Sequence, residues 1–169
     1  MSVYYHPFEV RWSDIDANRH LANSTYVEYC AQTRMAFMEK HKIGLSALHR
    51  WGIGPVVLHE RYSFFKEIYH GQKVYVGVEI SGLSEDGGIY RFLHKFYLED
   101  GTHCATAEAT GVWIDMMLRK STTPPQDIME IIERYQSEDR AILTKEDLRN
   151  LPFRPENLEA GFWGSGEEN

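Results

Sequence analysis

The chain has 169 residues, of which 43% are hydrophobic and 25% are charged, and this composition predicts one globular domain with a substantial core. Its formal net charge of −7 argues against binding to a phosphate backbone, so we expect no nucleic-acid partner. No apolar stretch approaches the length of a membrane span and no signal-peptide pattern opens the chain, so we expect a cytoplasmic protein without a membrane partner.

The first predicted elements are a strand and a loop. Apolar and polar side chains alternate in residues 3–12, with Tyr4, Phe8 and Val10 on one face, and this pattern is typical of a β-strand. Residues 13–22 have no clear period and therefore indicate a loop.

A long helix is predicted next, over residues 26–42. It is opened either by a Thr25-x-x-Glu28 capping box or by Asn23 or Ser24 as the cap. Its apolar side chains extend beyond one face, which indicates a helix that is largely enclosed by protein. The predicted apolar stripe consists of Val27, Cys30, Ala31, Met35 and Met38.

Four strands and a short helix complete the predicted elements. The strands are Val56–Lys66, Lys73–Ser81, Ile89–Leu98 and Thr102–Met117. Turn signals at residues 84–88 and 99–101 make the last three an antiparallel meander. A pair of prolines at 124–125 opens the helix, which ends near Tyr135. Neither Cys30 nor Cys104 has a CxxC partner, which predicts two reduced core thiols.

Together these elements predict an α+β architecture in which one antiparallel sheet packs against one long helix. A single small sheet cannot cover such a helix on all sides, so we expect a homodimer or homotetramer. Residues 1–136 are assigned to a single domain. Residues 137–169 are assigned to a C-terminal extension, partly helical near residues 145–150 and frayed at its end.

Side chains that can bind a metal, cap a helix or act as a base are concentrated in residues 13–26, SDIDANRHLANSTY. Asp14, Asp16 and Asn18 match the start of an EF-hand calcium loop. The match ends at Arg19, where a glycine is required, and at Thr25, where a bidentate glutamate is required, so no metal is expected.

Two interpretations of this stretch remain. Asx-turns and helix caps explain many of its residues, and Asp14 fits that structural role best. The chemical interpretation depends on the helix that follows, because a helix N-terminus has free N–H groups that can polarise an oxygen. A carboxylate beside such donors provides what acyl-group hydrolysis needs, namely a base or nucleophile and stabilisation of an oxyanion.

The stretch RWSDIDANRHLANSTYVEY resembles the signature of hotdog-fold thioesterases, in particular the loop and helix start of the 4-hydroxybenzoyl-CoA thioesterase group. It is more similar still to the Asp-x-Asn-x-His motif of plant-type acyl-ACP thioesterases. Asp16, Asn18 and His20 match that motif residue for residue, and Asn23 and Tyr26 match its helix-start positions. The resemblance implies a hotdog fold, in which an antiparallel sheet wraps around a long central helix.

The same resemblance implies an enzyme of fatty acid metabolism that hydrolyses an acyl thioester of CoA or of acyl carrier protein, without a cofactor. Asp16 is then the general base or nucleophile, and attack by water or by the carboxylate itself remains open. Asn18 and His20 orient the water or Asp16, or bind the acyl end. Asn23, through a nearby backbone amide, and Tyr26 are the implied oxyanion and substrate-binding positions.

The alternative is a non-catalytic protein of the same fold that binds an acyl carrier or acts in assembly. Presence of the whole Asp-x-Asn-x-His set favours the enzyme. A hotdog dehydratase is less favoured, because no second acid–histidine pair of that kind is found. Plant-type enzymes carry two hotdog units, whereas this chain has room for one. His59 and Glu60 are interpreted as ordinary strand residues.

Overall fold

A computed structural model describes residues 2–160 of the chain. Within this part, none of the helices is both long enough and apolar enough to cross a membrane. The helices and strands are β1 (Tyr4–Glu9), α1 (Asn23–Lys40), α2 (Leu45–Trp51), β2 (Ile53–Phe64), β3 (Lys73–Leu83), β4 (Ile89–Leu98), β5 (His103–Asp115), β6 (Ser121–Thr122), α3 (Gln126–Arg134), β7 (Gln136–Ile142) and α4 (Lys145–Arg149).

The strands form a single sheet whose main order is β1-β3-β4-β5-β2, with antiparallel pairing throughout. The predicted meander of β3, β4 and β5 is therefore confirmed. Its basis is the period-two alternation of apolar residues, which directs one face of each strand into the core. In β3 that face is completely buried and consists of Val74, Val76, Val78 and Ile80.

Helix α1 packs on one face of this sheet, against β1 and β3 among others, and this is the predicted α+β hotdog architecture. The buried side of α1 consists of Thr25, Tyr26, Tyr29, Cys30, Thr33, Phe37 and Met38. Both Cys30 and Cys104 are buried free thiols, as expected.

The predicted apolar stripe of α1 is partly wrong. Val27 and Ala31 belong to the exposed side of the helix, together with Glu28 and Gln32. The buried side is instead built largely from aromatic residues and threonine, because these lie three or four positions apart and face the sheet together. One side of α1 is thus covered in the protomer and the other is open.

The start of α1 also differs from its prediction. Ala22 is the N-cap, and no side chain caps the helix. The Thr25-x-x-Glu28 capping box does not form, because the Thr25 hydroxyl donates to the carbonyl of Asp14, 3.1 Å away in the preceding loop. The helix is therefore tied to the loop before it, and its first amides are left without a side-chain acceptor.

Three elements were not predicted: helix α2, the two-residue strand β6, which pairs with β5, and strand β7. Helix α2 lies between Gly44 and Gly52, and Gly52 ends it in the left-handed conformation with φ 67°. Strand β7 lies in the expected C-terminal extension, yet it pairs in parallel with β3 at residues 80–83. Leu143 follows it and packs on Ile89 and Val112. Helix α4 lies near the predicted short helix, whereas the fraying predicted for the last residues falls outside the described part of the chain.

A partly buried polar network joins α1 to the sheet. Arg34 on α1 donates from Nη1 to Glu60 on β2 at 3.3 Å and to Nε2 of His94 on β4 at 3.2 Å. Nδ1 of His94 lies 2.9 Å from the carbonyl of Gly77, which can only accept, so Nδ1 carries the proton and Nε2 accepts from Arg34. Glu60 was predicted to be an ordinary strand residue. It instead forms an ion pair with Arg34 of α1.

Burial, together with the charge of Arg34, lowers the pKa of the fully buried His94 to about 3. Between that value and the ordinary pKa of about 6.5, the unfolded chain binds a proton at this position and the folded chain does not. Stability should therefore be complete above pH 6.5 and fall as the pH is lowered, by about 2 kcal/mol from this histidine between pH 7 and pH 5.

Urea unfolding at both pH values tests this. His94→Asn keeps a donor for the Gly77 carbonyl and removes the titration, so its loss of stability on acidification should be smaller by about 2 kcal/mol, whatever its stability at pH 7. The exposed His49 provides the control, and His49→Asn should retain the wild-type pH dependence. An unchanged pH dependence in the His94 variant would contradict the assignment.

Candidate functional site

Three of the five predicted site residues, Asp16, Asn18 and His20, lie in a tight hairpin between β1 and α1. Ile15 and Leu21 pair as an antiparallel bridge, and the amide of Asp16 donates to the carbonyl of His20 at 3.0 Å. Arg19 turns the chain in the left-handed conformation, with φ 67°, and its amide donates to the carbonyl of Asp16. This closed turn brings Asp16 and His20 side by side at its base.

Within the hairpin, Oδ1 of Asp16 accepts the backbone amide of Asn18 at 2.8 Å, which is an Asx-turn. The same oxygen lies 3.8 Å from Nδ1 of His20, which is also 3.3 Å from the carbonyl of Leu21. About a third of the Asp16 side chain is exposed, so the carboxylate is held and still open to solvent. Asn18 is exposed at the hairpin tip.

The N-terminus of α1 follows directly. Asn23 is its first residue and is exposed, and no hydrogen bond in the described part of the chain uses the amides of Asn23 or Ser24. The next amide, that of Thr25, donates to the carbonyl of Ala22. Two backbone donors at the positive end of the helix dipole are thus available to an incoming oxygen.

Asp14 fixes the loop between β1 and α1 through a buried side chain. Its buried carboxylate accepts from Nε and Nη2 of Arg11, at 3.1 and 2.9 Å, and from the Tyr29 hydroxyl at 3.0 Å. Its carbonyl accepts from the amide of Ala22, the N-cap of α1. Burial alone would raise the pKa of this carboxyl, but the hydrogen bonds from Arg11 and Tyr29 outweigh it and hold the pKa below its ordinary value. Asp14 is thus a charged structural anchor, a larger role than the turn or cap expected for it.

The last predicted residue, Tyr26, lies apart from the other four. Its ring packs in the core against Phe64 and Phe96, with centroids 4.9 and 5.1 Å away. Burial raises the pKa of its hydroxyl to about 12, so it is neutral at physiological pH. The structure therefore brings Asp16, Asn18 and His20 together ahead of Asn23, whereas Tyr26 supports α1 from beneath.

Sequence reasoning missed the partnership of Arg11 and Tyr29 with Asp14. The Arg11 contact has a local signal, since Arg11 is three residues before Asp14. The Tyr29 contact is tertiary, because it joins residues 15 positions apart and has no local period. In residues 2–160 no group of three or more His, Cys, Asp or Glu side chains is arranged to hold a metal ion.

The chain is similar to known proteins both in sequence and in fold. A sequence model of the thioesterase-like superfamily matches residues 10–132. The hypothetical protein SAV2348 from Staphylococcus aureus, solved in complex with CoA, superposes with a TM-score of 0.74 at 21% identity, covering 91% of this chain and 96% of that one.

Two enzymes superpose comparably. The 1,4-dihydroxy-2-naphthoyl-CoA thioesterase Slr0204 from Synechocystis gives a TM-score of 0.69 at 16% identity, covering 78% of this chain and 96% of that one. The DHNA-CoA thioesterase from Staphylococcus aureus gives 0.71 at 17% identity, covering 79% and 91% respectively. At such identities the three structures establish a shared fold.

The anchor predicts different effects for the two aspartates. Asp14→Asn should lower the free energy of unfolding by about 1–3 kcal/mol, because it removes the negative charge that accepts hydrogen bonds from the Arg11 guanidinium and the buried Tyr29 hydroxyl. Asp16→Asn should change it by less than about 0.5 kcal/mol, because the amide oxygen still accepts from Asn18 at a partly exposed site. Urea unfolding of both variants measures the difference, and equal effects would refute the anchor.

Proposed function

The chain belongs to the thioesterase-like superfamily, and we propose that it hydrolyses an acyl thioester to a free acid and a thiol, with Asp16 as the general base or nucleophile. One observation carries the proposal: the hairpin that holds the Asp16 carboxylate runs directly into a helix whose first two amides are free. A base and a site for an oxyanion are then neighbours, as acyl transfer requires.

In the water-mediated route, Asp16 takes a proton from a water molecule as its oxygen attacks the thioester carbonyl carbon. The carbonyl oxygen becomes an oxyanion, which the amides of Asn23 and Ser24 stabilise. The tetrahedral intermediate then re-forms its C=O bond and expels the thiolate, which accepts the proton.

In the covalent route, the Asp16 carboxylate attacks first and expels the thiolate, and water then hydrolyses the mixed anhydride. The free oxygen of the carboxylate suits both routes, because the Asx-turn with Asn18 uses only Oδ1.

His20 and Asn18 are proposed to position these partners. His20 is close enough to Asp16 to fix the side chain directly or through a small movement, since their polar atoms are 3.8 Å apart. Asn18 presents its side chain at the exposed tip, where it can contact the substrate or the attacking water. The exposed Asn23 begins the helix at the oxyanion position. Tyr26 contributes by supporting the helix from the core.

The acyl carrier is proposed to be CoA or acyl carrier protein, within fatty acid metabolism, with no cofactor required. The CoA complex of SAV2348 supports a CoA thioester as substrate for a protein of this fold. Three basic side chains of the strands are already in ion pairs, since Arg61 and Arg91 contact Glu108 and Lys95 contacts Glu79. They are therefore less available to bind the phosphate groups of the acyl carrier.

A homodimer or homotetramer is proposed as the functional form. The open side of α1 carries Val27, which is 41% exposed, and the edge strand β2 carries Leu58 and Phe64, each about half exposed. In the described residues β2 pairs only with β5, so its other edge has unpaired backbone groups. A second copy placed there would cover both the helix and the strand edge.

The test of Asp16 is a comparison of three proteins on one acyl-CoA panel with a thiol-release readout. Asp16→Asn keeps the hairpin bond and removes the charge, so kcat should fall by about 10²–10⁴-fold while KM changes much less. The matched control is Glu28→Gln, which removes one exposed carboxylate from α1, the helix that follows the hairpin, and should retain wild-type kcat.

Wild-type kcat in Asp16→Asn would show that the hairpin is structural and that Asp16 does no chemistry. Absence of thiol release by the wild-type protein from every acyl-CoA and acyl-ACP, together with binding of one of them, would favour the non-catalytic carrier-binding alternative.

The oligomer is tested by sedimentation velocity at micromolar concentration. The wild-type chain should sediment as a dimer or tetramer, and Val27→Glu should shift it towards the monomer because it places a charge on the proposed contact. Phe153→Glu, at an 85% exposed position in the C-terminal segment, should leave the oligomer unchanged. A compact wild-type monomer would exclude the proposed form.

A further inference from the structure

The end of the molecule remote from Asp16 has an unusual surface. Helix α1 runs about 27 Å from the Asp16 hairpin to its C-terminus, where α2 begins. The amide of Met116 donates to the carbonyl of Gly52 at 2.9 Å, so the turn between β5 and β6 lies beside the end of α2. We call this surface, formed by residues 42–52 and 116–120, the α2 pole.

Apolar side chains project from the tip of the α2 pole. Met117 is 90% exposed and Leu118 is 70% exposed. Oδ1 of Asp115 accepts both of their amides, at 2.9 and 2.8 Å, which fixes the backbone of the turn and keeps these side chains in solvent. Leu45 on α2 is also largely exposed. Exposed apolar side chains gathered on one surface mark a site of interaction.

The α2 pole is also positively charged, although the chain carries 25 acidic and 18 basic residues. Residues 42–52 and 116–120 contain Lys42, Arg50, Arg119 and Lys120 and no Asp or Glu. None of these four side chains forms an ion pair with another residue of the described chain.

The two carboxylates at the border of the α2 pole are already engaged with backbone amides. Asp115 caps the turn, and Glu39 accepts the amide of Leu45 at 2.8 Å. Neither carboxylate forms an ion pair with the four cations in residues 2–160, so these cations can contact an external anionic surface.

We propose that the α2 pole binds an anionic phospholipid membrane peripherally, with Met117 and Leu118 inserted at the level of the upper acyl chains. Lys42, Arg50, Arg119 and Lys120 then contact the phosphate groups of the lipid head groups. Stable peripheral binding needs two signals, an apolar insertion and a basic patch, and both are present on this one surface.

A membrane fits these features better than an acidic protein does. Met117 and Leu118 are at the tip of a turn, where they project into solvent, and lipid accommodates a projecting side chain without a shaped partner. A standard protein interface uses about 20–30 residues on each side, whereas the α2 pole offers one turn and one seven-residue helix. The proposal does not depend on the catalytic role of Asp16, and it departs from the expectation that no membrane is a partner.

Vesicle co-sedimentation of the full chain tests the proposal. The protein should bind vesicles of equal parts phosphatidylglycerol and phosphatidylcholine, and pure phosphatidylcholine at least about tenfold more weakly. Binding should also fall in about 1 M NaCl, where the Debye length is about 3 Å. The double variants M117D/L118D and R119E/K120E should each lower the partition coefficient at least about tenfold.

Matched controls separate the α2 pole from general charge effects. Phe153→Asp changes an equally exposed apolar residue outside the pole, and R149E/R154E reverses the same number of exposed charges; both should bind as the wild type does. Circular dichroism should show all variants folded, because every substituted side chain is exposed.

Three results would overturn the proposal. The first is equal wild-type binding to both vesicle types, and the second is equal losses in the pole and control variants. The third is absence of vesicle binding by the wild-type protein. If the pole then binds an acidic acyl carrier protein, the α2 pole is a protein-docking surface.

Discussion

The buried carboxylate of Asp14 is the contact on which the candidate site depends. It binds Arg11 before the loop and Tyr29 within α1, while its own carbonyl receives the amide of Ala22 and the hydroxyl of Thr25. Those four contacts fix the entry angle of the helix relative to the hairpin. A buried charge is tolerable there because each of its oxygens is hydrogen-bonded. Asp16 can therefore remain open to solvent and still be held in position.

Sequence patterns predicted those elements in which local period and burial agree. Strand β3 is the clearest case, because its alternating Val and Ile residues all point into the core. Strand β7 was missed for a different reason. It carries Glu138, Asp139 and Arg140 and has no strand-like alternation, so its conformation is imposed by pairing with β3. The faces of α1 were misassigned because residues on both of its sides are apolar.

The geometry of the candidate site was predictable in part for a similar reason. The Asp-x-Asn-x-His spacing is local, so a resemblance in sequence identifies the hairpin, and the structure closes that hairpin with Asp16 and His20 adjacent. The support of the hairpin is not local. Neither the hydrogen bond of Tyr29 to Asp14 nor the contact of Arg34 with Glu60 could be derived from spacing, since these partners are 15 and 26 residues apart and meet only in the folded chain.

The pairing of β1 with β3 constrains how the chain acquires its structure during synthesis. Strand β1 leaves the ribosome more than 60 residues before β3, its one partner among residues 2–160, and the meander from β3 to β5 can form without β1. At about 5–20 residues per second, β1 waits several seconds with its backbone unpaired. Proline at position 7, within this strand, removes one donor from the waiting edge and so lowers its tendency to pair with another nascent chain.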